Sequence, residues 1–135
     1  MIICNICFII IRVTINTFAF LWIKQFCIKT IFFFLLGEYS TFDKNISPGN
    51  TNYKLLIKNI ADYAEVGIHP SYFSMKNDLK IKKEKEILEG IVNFPIRRSR
   101  QHYLRIELPE TYQNLVDLEI HEEYWKIIFR ILLQI

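Results

Sequence analysis

Two histidines stand where apolar runs break into polar loops. His69 lies in Glu65-Val66-Gly67-Ile68-His69-Pro70-Ser71-Tyr72 and His102 in Ser99-Arg100-Gln101-His102-Tyr103. In an α/β protein, ligand-binding groups collect at such places, because strand ends are rigid and open onto a shared crevice. Pro70 forces a turn directly after His69 and removes a backbone donor, so the imidazole points off the strand end. A metal-ligand or general-acid role fits His69, with Ser71 and Tyr72 close by; a buried histidine capped by a backbone carbonyl fits it equally. His102 is surrounded by Arg97, Arg98, Arg100, Gln101 and Tyr103. Arginine there can clamp an anion or position a carboxylate through paired hydrogen bonds, and the alternative is an exposed basic strand end. In strict alternation Arg100 and His102 face one way, Gln101 and Tyr103 the other.

Two histidines alone leave a zinc ion under-ligated, and hydrolytic sites usually add a carboxylate as ligand or base. Glu38, Asp43 and Glu65 are the candidates. Asp43 sits in a polar loop after a strand, and reads first as a turn residue or cap.

The elements that must position these groups alternate in period. Phe18, Leu21, Trp22 and Phe26 recur at helical spacing. Thr30-Ile31-Phe32-Phe33-Phe34-Leu35-Leu36 is continuously apolar and ends at Gly37, as a strand buried on both faces would be. Ser47-Pro48-Gly49-Asn50 signals a turn. Leu56, Ile60 and Tyr63 mark a further amphipathic helix, followed by the short strand Val66-Gly67-Ile68. Another helix is expected from about Lys76 to Leu88, with Gly90 as terminator. Arg98 to Ile106 reads as extended. Pro109 opens a last helix at a first-turn position, with Glu110 at the positive end of its dipole. The apolar tail Tyr124 to Ile135 is ambiguous. This alternation predicts βα units with a parallel sheet. A sheet of only three or four such units would expose an edge and an apolar face, which points to part of a larger α/β domain.

Composition narrows the class. The chain has 135 residues, half of them hydrophobic (51%) and 15% aromatic, which excludes disorder. No linker divides it, so residues 1–135 read as a single, partial domain. The net charge is +3. Lys80, Lys82, Lys83 and Lys85 interleave with Glu84 and Glu86, the pattern of a solvated helix face, and no nucleic-acid partner is expected. No acid precedes Glu38, yet Arg12, Lys24 and Lys29 interrupt the apolar N-terminus. No uncharged run reaches the roughly 18 residues a bilayer span needs, and the marks of a signal peptide are missing. A buried helix and strand in a cytoplasmic protein is the expectation. Membrane association through residues 1–36 is the alternative. Cys4, Cys7 and Cys27 read as buried reduced thiols.

The residues also resemble a known family. Thr30-Ile31-Phe32-Phe33-Phe34-Leu35-Leu36-Gly37 is similar to the second strand of polysaccharide deacetylase (NodB-like) domains. Ala61-Asp62-Tyr63-Ala64-Glu65-Val66-Gly67-Ile68-His69-Pro70-Ser71-Tyr72, Ser99-Arg100-Gln101-His102-Tyr103-Leu104 and Pro109-Glu110-Thr111-Tyr112-Gln113-Asn114-Leu115 are similar to a bacterial branch of it. The resemblance covers residues 17–124; residues 1–16 and 125–135 carry none.

The resemblance implies a partial (β/α) barrel of the NodB-like deacetylase type. By family, the activity would be hydrolytic removal of acetyl groups from a polysaccharide or glycan. A zinc-like divalent metal would be held by an aspartate and two histidines, with a second aspartate as base. His69 matches the family's first histidine, making it the metal-ligand candidate. Arg100 and Tyr103 match the arginine-x-x-aromatic groove motif. Arg100 and His102 are the catalytic candidates, and Tyr72 and Tyr103 the substrate-binding ones. The departures are specific. Phe73 occupies the position of the second histidine, for which His102 is the candidate substitute. The family's aspartate pair belongs to an earlier strand, whereas Thr41-Phe42-Asp43 follows the second strand and has Lys44 in place of the second aspartate; the imitation reads as coincidence. The expectation is a truncated deacetylase-like protein, inactive as it stands. Its alternative is a non-catalytic carbohydrate-binding remnant using Arg100, Tyr103 and Tyr72. The sequence leaves the oligomeric state open.

Overall fold

The computed structural model describes residues 7–10, 30–101 and 107–124. The expected helix around Phe18 to Phe26, the later part of the Arg98 to Ile106 segment, and the tail beyond Tyr124 lie outside the described residues.

Among the described residues five parallel strands form one sheet in sequential order: β1 (Cys7–Ile10), β2 (Thr30–Phe34), β3 (Glu65–Ile68), β4 (Arg98–Ser99) and β5 (Glu122–Glu123). Helices α1 (Thr51–Ala61), α2 (Asp78–Val92) and α3 (Glu110–Asp117) fill the connections after β2, β3 and β4. Alternating βα units with a parallel sheet are therefore what the chain forms. No helix among the described residues is long and apolar enough to cross a membrane.

Every residue of β2 is buried, as its unbroken apolar run requires of a strand covered on both faces. Alternation divides the strands. Phe32 and Phe34 of β2, with Val66 and Ile68 of β3, join one core with Tyr53, Ile57 and Ile60 of α1, Ile81, Leu88 and Ile91 of α2, and Leu115 of α3. The helices thus share a face, which sequential strand order demands when all crossovers have one hand. The opposite face carries Ile31, Phe33 and Leu35. By register it also carries Glu65 and Gly67 on β3, Arg98 on β4 and Glu122 on β5. Gly67 is required there, because a Cβ would lie 2.6 Å from the Phe33 ring and 2.9 Å from the Arg98 carbonyl. On this same face Arg98 Nε donates to Glu122 at 3.1 Å, its other arm lies 3.4 Å from Glu65, and Tyr124 packs on Phe33.

Local expectations shift in instructive ways. The buried stripe of α1 is Tyr53, Ile57 and Ile60, while Tyr63 lies past the helix end and is exposed. Asn50 caps α1 by accepting from the Tyr53 N–H at 3.1 Å. Helix α2 starts later than Lys76, because Asn77 caps it through the Lys80 N–H. It also runs through Gly90 to Val92 and stops at Asn93, whose φ of 62° is left-handed. Asparagine tolerates that conformation, so Asn93 rather than Gly90 ends the helix. The charged run on α2 is not wholly a solvated face either. Glu84 falls on the stripe Ile81, Glu84, Leu88, Ile91 and is buried. Pro109 does precede the last helix, with Glu110 in its first turn.

Candidate functional site

The loops following β2 and β3 and the first residues after β4 meet at the C-terminal end of the sheet. His69 directly follows β3 and is 3% exposed. Its backbone N–H donates to the Phe34 carbonyl at 2.9 Å, prolonging the β2–β3 pairing by one rung. Its Nδ1 lies 2.5 Å from the Arg100 carbonyl oxygen. A carbonyl only accepts, so Nδ1 carries the proton, and any metal would have to take Nε2. The Arg100 N–H donates to the Ile68 carbonyl at 3.0 Å, placing Arg100 beside His69 on the face opposite the helices. Partial burial lowers the Arg100 pKa, and the Glu123 carboxylate opposes that shift; the group stays a cation. On the other face of β4, Ser99 and Gln101 are buried, and the Gln101 N–H donates to Glu123 Oε1 at 3.0 Å. Burial pushes the Glu123 carboxyl up.

Beyond Pro70 the chain is held by two buried carboxylates. Asp43, 1% exposed, accepts the Tyr72 N–H at 3.1 and 3.2 Å on its two oxygens, and the Ser40 hydroxyl at 3.1 Å. Glu84 accepts the Ser71 hydroxyl at 2.5 Å and the Ser71 N–H at 3.0 Å. Burial raises the Glu84 pKa, against the Ser71 hydrogen bonds, which lower it. Gly37 lets the loop after β2 approach this point, since a Cβ there would meet Ser71 Cβ at 2.4 Å. Asp43 is therefore no exposed turn residue. The spacing Ser40-x-x-Asp43 was the available signal, and the two residues do satisfy each other: the Asp43 N–H also donates to Ser40 Oγ at 3.0 Å. Glu84 was legible as a polar residue on an otherwise apolar helical stripe.

Tyr72 and Phe73 continue from these anchors into an aromatic cluster. The Tyr72 ring stacks on Phe42 with centroids 4.0 Å apart and planes 16° apart, and Phe73 stands edge-on to both. Phe73 is 52% exposed and Phe42 38%. The Lys80 ammonium lies 5.9 Å from the Phe73 ring centre.

Of the five residues singled out from sequence, His69, Arg100 and Tyr72 come together along one rim, while His102 and Tyr103 lie outside the described residues. Among the described residues no group of three His, Cys, Asp or Glu side chains could hold a metal ion. The geometry agrees. Phe73 offers no donor atom, and the Asp43 carboxylate is turned to the Tyr72 N–H and the Ser40 hydroxyl. The described residues do not fit a divalent metal.

No family model and no curated protein matches the sequence. The fold does match solved structures. A CE4 family pseudoenzyme from Bacillus anthracis aligns with a TM-score of 0.65 and 17% identity, over 92% of this chain and 44% of that one. A mutant described as a CE4 family pseudoenzyme with restored enzymatic activity aligns at 0.59 and 19%, over 78% of this chain and 37% of the other. The chain spans somewhat less than half the length of these proteins, and its parallel βα sheet is a part of the (β/α) barrel of the CE4, NodB-like polysaccharide deacetylase fold.

Proposed function

We propose that this chain is a non-catalytic relative of the polysaccharide deacetylases that binds glycan at the rim formed by His69, Arg100, Tyr72 and the neighbouring aromatic rings. The observation that carries the reading is Phe73. An exposed phenyl ring stands where the family resemblance expects a second metal-binding histidine, and it packs against Phe42 and Tyr72 instead of a polar site. Among the described residues no three metal-ligating side chains come together. The buried acids beside the rim, Asp43 and Glu84, are engaged by backbone and serine donors rather than placed to activate water. Exposed aromatic rings suit the apolar C–H faces of a sugar, and the arginine after β4 offers donors for its hydroxyls. The match to a pseudoenzyme supports the same reading.

Two measurements test it. Isothermal titration with zinc is expected to show no stoichiometric binding, and incubation with N-acetylglucosamine oligomers no acetate release. The same oligomers should perturb the amide resonances of Tyr72 and Phe73, and Phe73→Ala should weaken that binding at least about fivefold with the thermal midpoint unchanged. One equivalent of zinc that disappears in His69→Ala, or any acetate release above that of the His69→Ala variant, would overturn the proposal.

A further inference from the structure

A cavity of about 360 Å³ lies between the loop after β2, the turn before α1 and one face of α2. Leu36, Tyr39, Pro48 and Ile87 supply apolar walls, Glu84 forms part of its polar lining, and Lys83 stands among its lining residues. Lys80, Lys83, Glu84 and Ile87 follow the spacing i, i+3, i+4, i+7, so a single helix face forms this side. The size falls in the range of small-molecule sites, which combine mostly apolar walls with a few polar groups.

The charges around it are not matched. Lys80 is 3.7 Å from Glu38, an exposed and therefore weak pair. Lys83 has no ion-pair partner among the described residues. Of the two acids in the lining, Glu38 is the exposed partner of Lys80, and Glu84 is already engaged by both Ser71 donors while burial favours its neutral form. An anion entering here meets an unpaired ammonium and a carboxyl that resists ionisation.

We propose that this cavity binds a small amphiphilic carboxylate, its apolar part against Leu36, Pro48 and Ile87 and its anionic group at Lys83. The site borders the rim discussed above, through Glu84 at Ser71 and Lys80 near Phe73. Its ligand-facing residues Leu36, Pro48, Lys83 and Ile87 are not rim residues, so Lys83→Glu and Phe73→Ala test the two readings separately.

The test is a ¹H–¹⁵N titration of the full chain with 3-phenylpropionate. Saturable shifts are expected at the amides of Gly37, Glu38 and Ile87. The matched alcohol, 3-phenylpropanol, should bind roughly tenfold more weakly, because it keeps the ring and loses the charge. Lys83→Glu, a change at an exposed residue, should weaken the acid about tenfold with the spectrum otherwise intact. Ile87→Trp, which fills the cavity, should abolish the shifts. Equal binding of acid and alcohol, unchanged affinity in Lys83→Glu, shifts confined to other amides, or no saturation at millimolar ligand would each overturn the proposal.

Discussion

Replacing Glu84 separates its two roles, as the acceptor that holds Ser71 and as a buried acid. In Glu84→Leu both Ser71 donors, the hydroxyl now 2.5 Å and the N–H now 3.0 Å from the carboxylate, lose their acceptor. Ser71 is 2% exposed, so water does not replace it. A buried donor left unsatisfied costs about 1–3 kcal/mol, and the leucine recovers about 1 kcal/mol by burying its methyl groups. For the two donors together the net loss is about 1–5 kcal/mol, or a fall in Tm on the order of 10 °C for a domain of this size. In Glu84→Gln the amide oxygen can still accept the N–H and the amide nitrogen can donate to the hydroxyl, so the loss is within about 1 kcal/mol at neutral pH. The pH dependence then distinguishes the two forms of the acid. The folded pKa of Glu84 is raised above its ordinary value of 4.5, so the folded chain holds this proton when the unfolded chain has released it. Stability from this group is therefore greatest below pH 4.5 and declines as pH rises from there through the raised folded value. Urea denaturation followed by circular dichroism between pH 4.5 and 7.5 should show this decline in the parent and a shallower one in Glu84→Gln. Glu123 is raised in the same sense and keeps part of the slope. A Leu variant as stable as the parent, or a Gln variant whose stability falls as steeply with pH, would refute the reasoning.

Other perturbations have equally direct readouts. Gly67→Ala places a methyl 2.6 Å from the Phe33 ring and 2.9 Å from the backbone oxygen of Arg98, and should cost about 1–3 kcal/mol in urea melts; Phe33→Leu in the same chain should recover part of it. Gly90→Ala meets no atom within 4 Å in the last turns of α2 and should stabilise by about 0.5–1 kcal/mol, read as a rise in the urea midpoint. Asn93→Ala forces an alanine into a φ of 62° and should lose about 1 kcal/mol, whereas Asn93→Gly should be neutral or better in the same melts. Arg98→Met removes two partly exposed ion pairs, and its cost, at most about 1 kcal/mol, should shrink in 1 M salt.

What could be read from the sequence depended on how local the cause was. The phenylalanine run showed β2 because only a strand covered on both sides has no polar face. The turn before α1 and the proline ahead of α3 were legible because proline, glycine and asparagine act on their own backbone. The sequence offers Gly90 and Asn93 alike as the end of α2, because both residue types permit a left-handed terminus, and the structure puts that conformation at Asn93. Glu84 was read with its charged neighbours, although its spacing to Ile81 and Leu88 put it inward. Asp43 reads as a turn residue or cap in the sequence because its partner, the Tyr72 N–H, is 29 positions away. The rim around His69 was visible in outline. That its Nδ1 is committed to the Arg100 carbonyl depends on strand register, which no motif states.

The strand order has a consequence for how the chain is assembled. Among the described residues each strand after the first pairs with the one made just before it: Thr30 with Cys7, Glu65 with Ile31, Ser99 with Ile68, Glu122 with Arg98. None of these described strands must wait for a distant segment or be threaded between two that are already joined. During synthesis the sheet can therefore lengthen in the same direction as the nascent chain, each new βα unit docking on an edge that has just formed. The β3–β4 junction, where His69 meets the Arg100 carbonyl, would close only after α2 has emerged, so the rim is a late product of that growth.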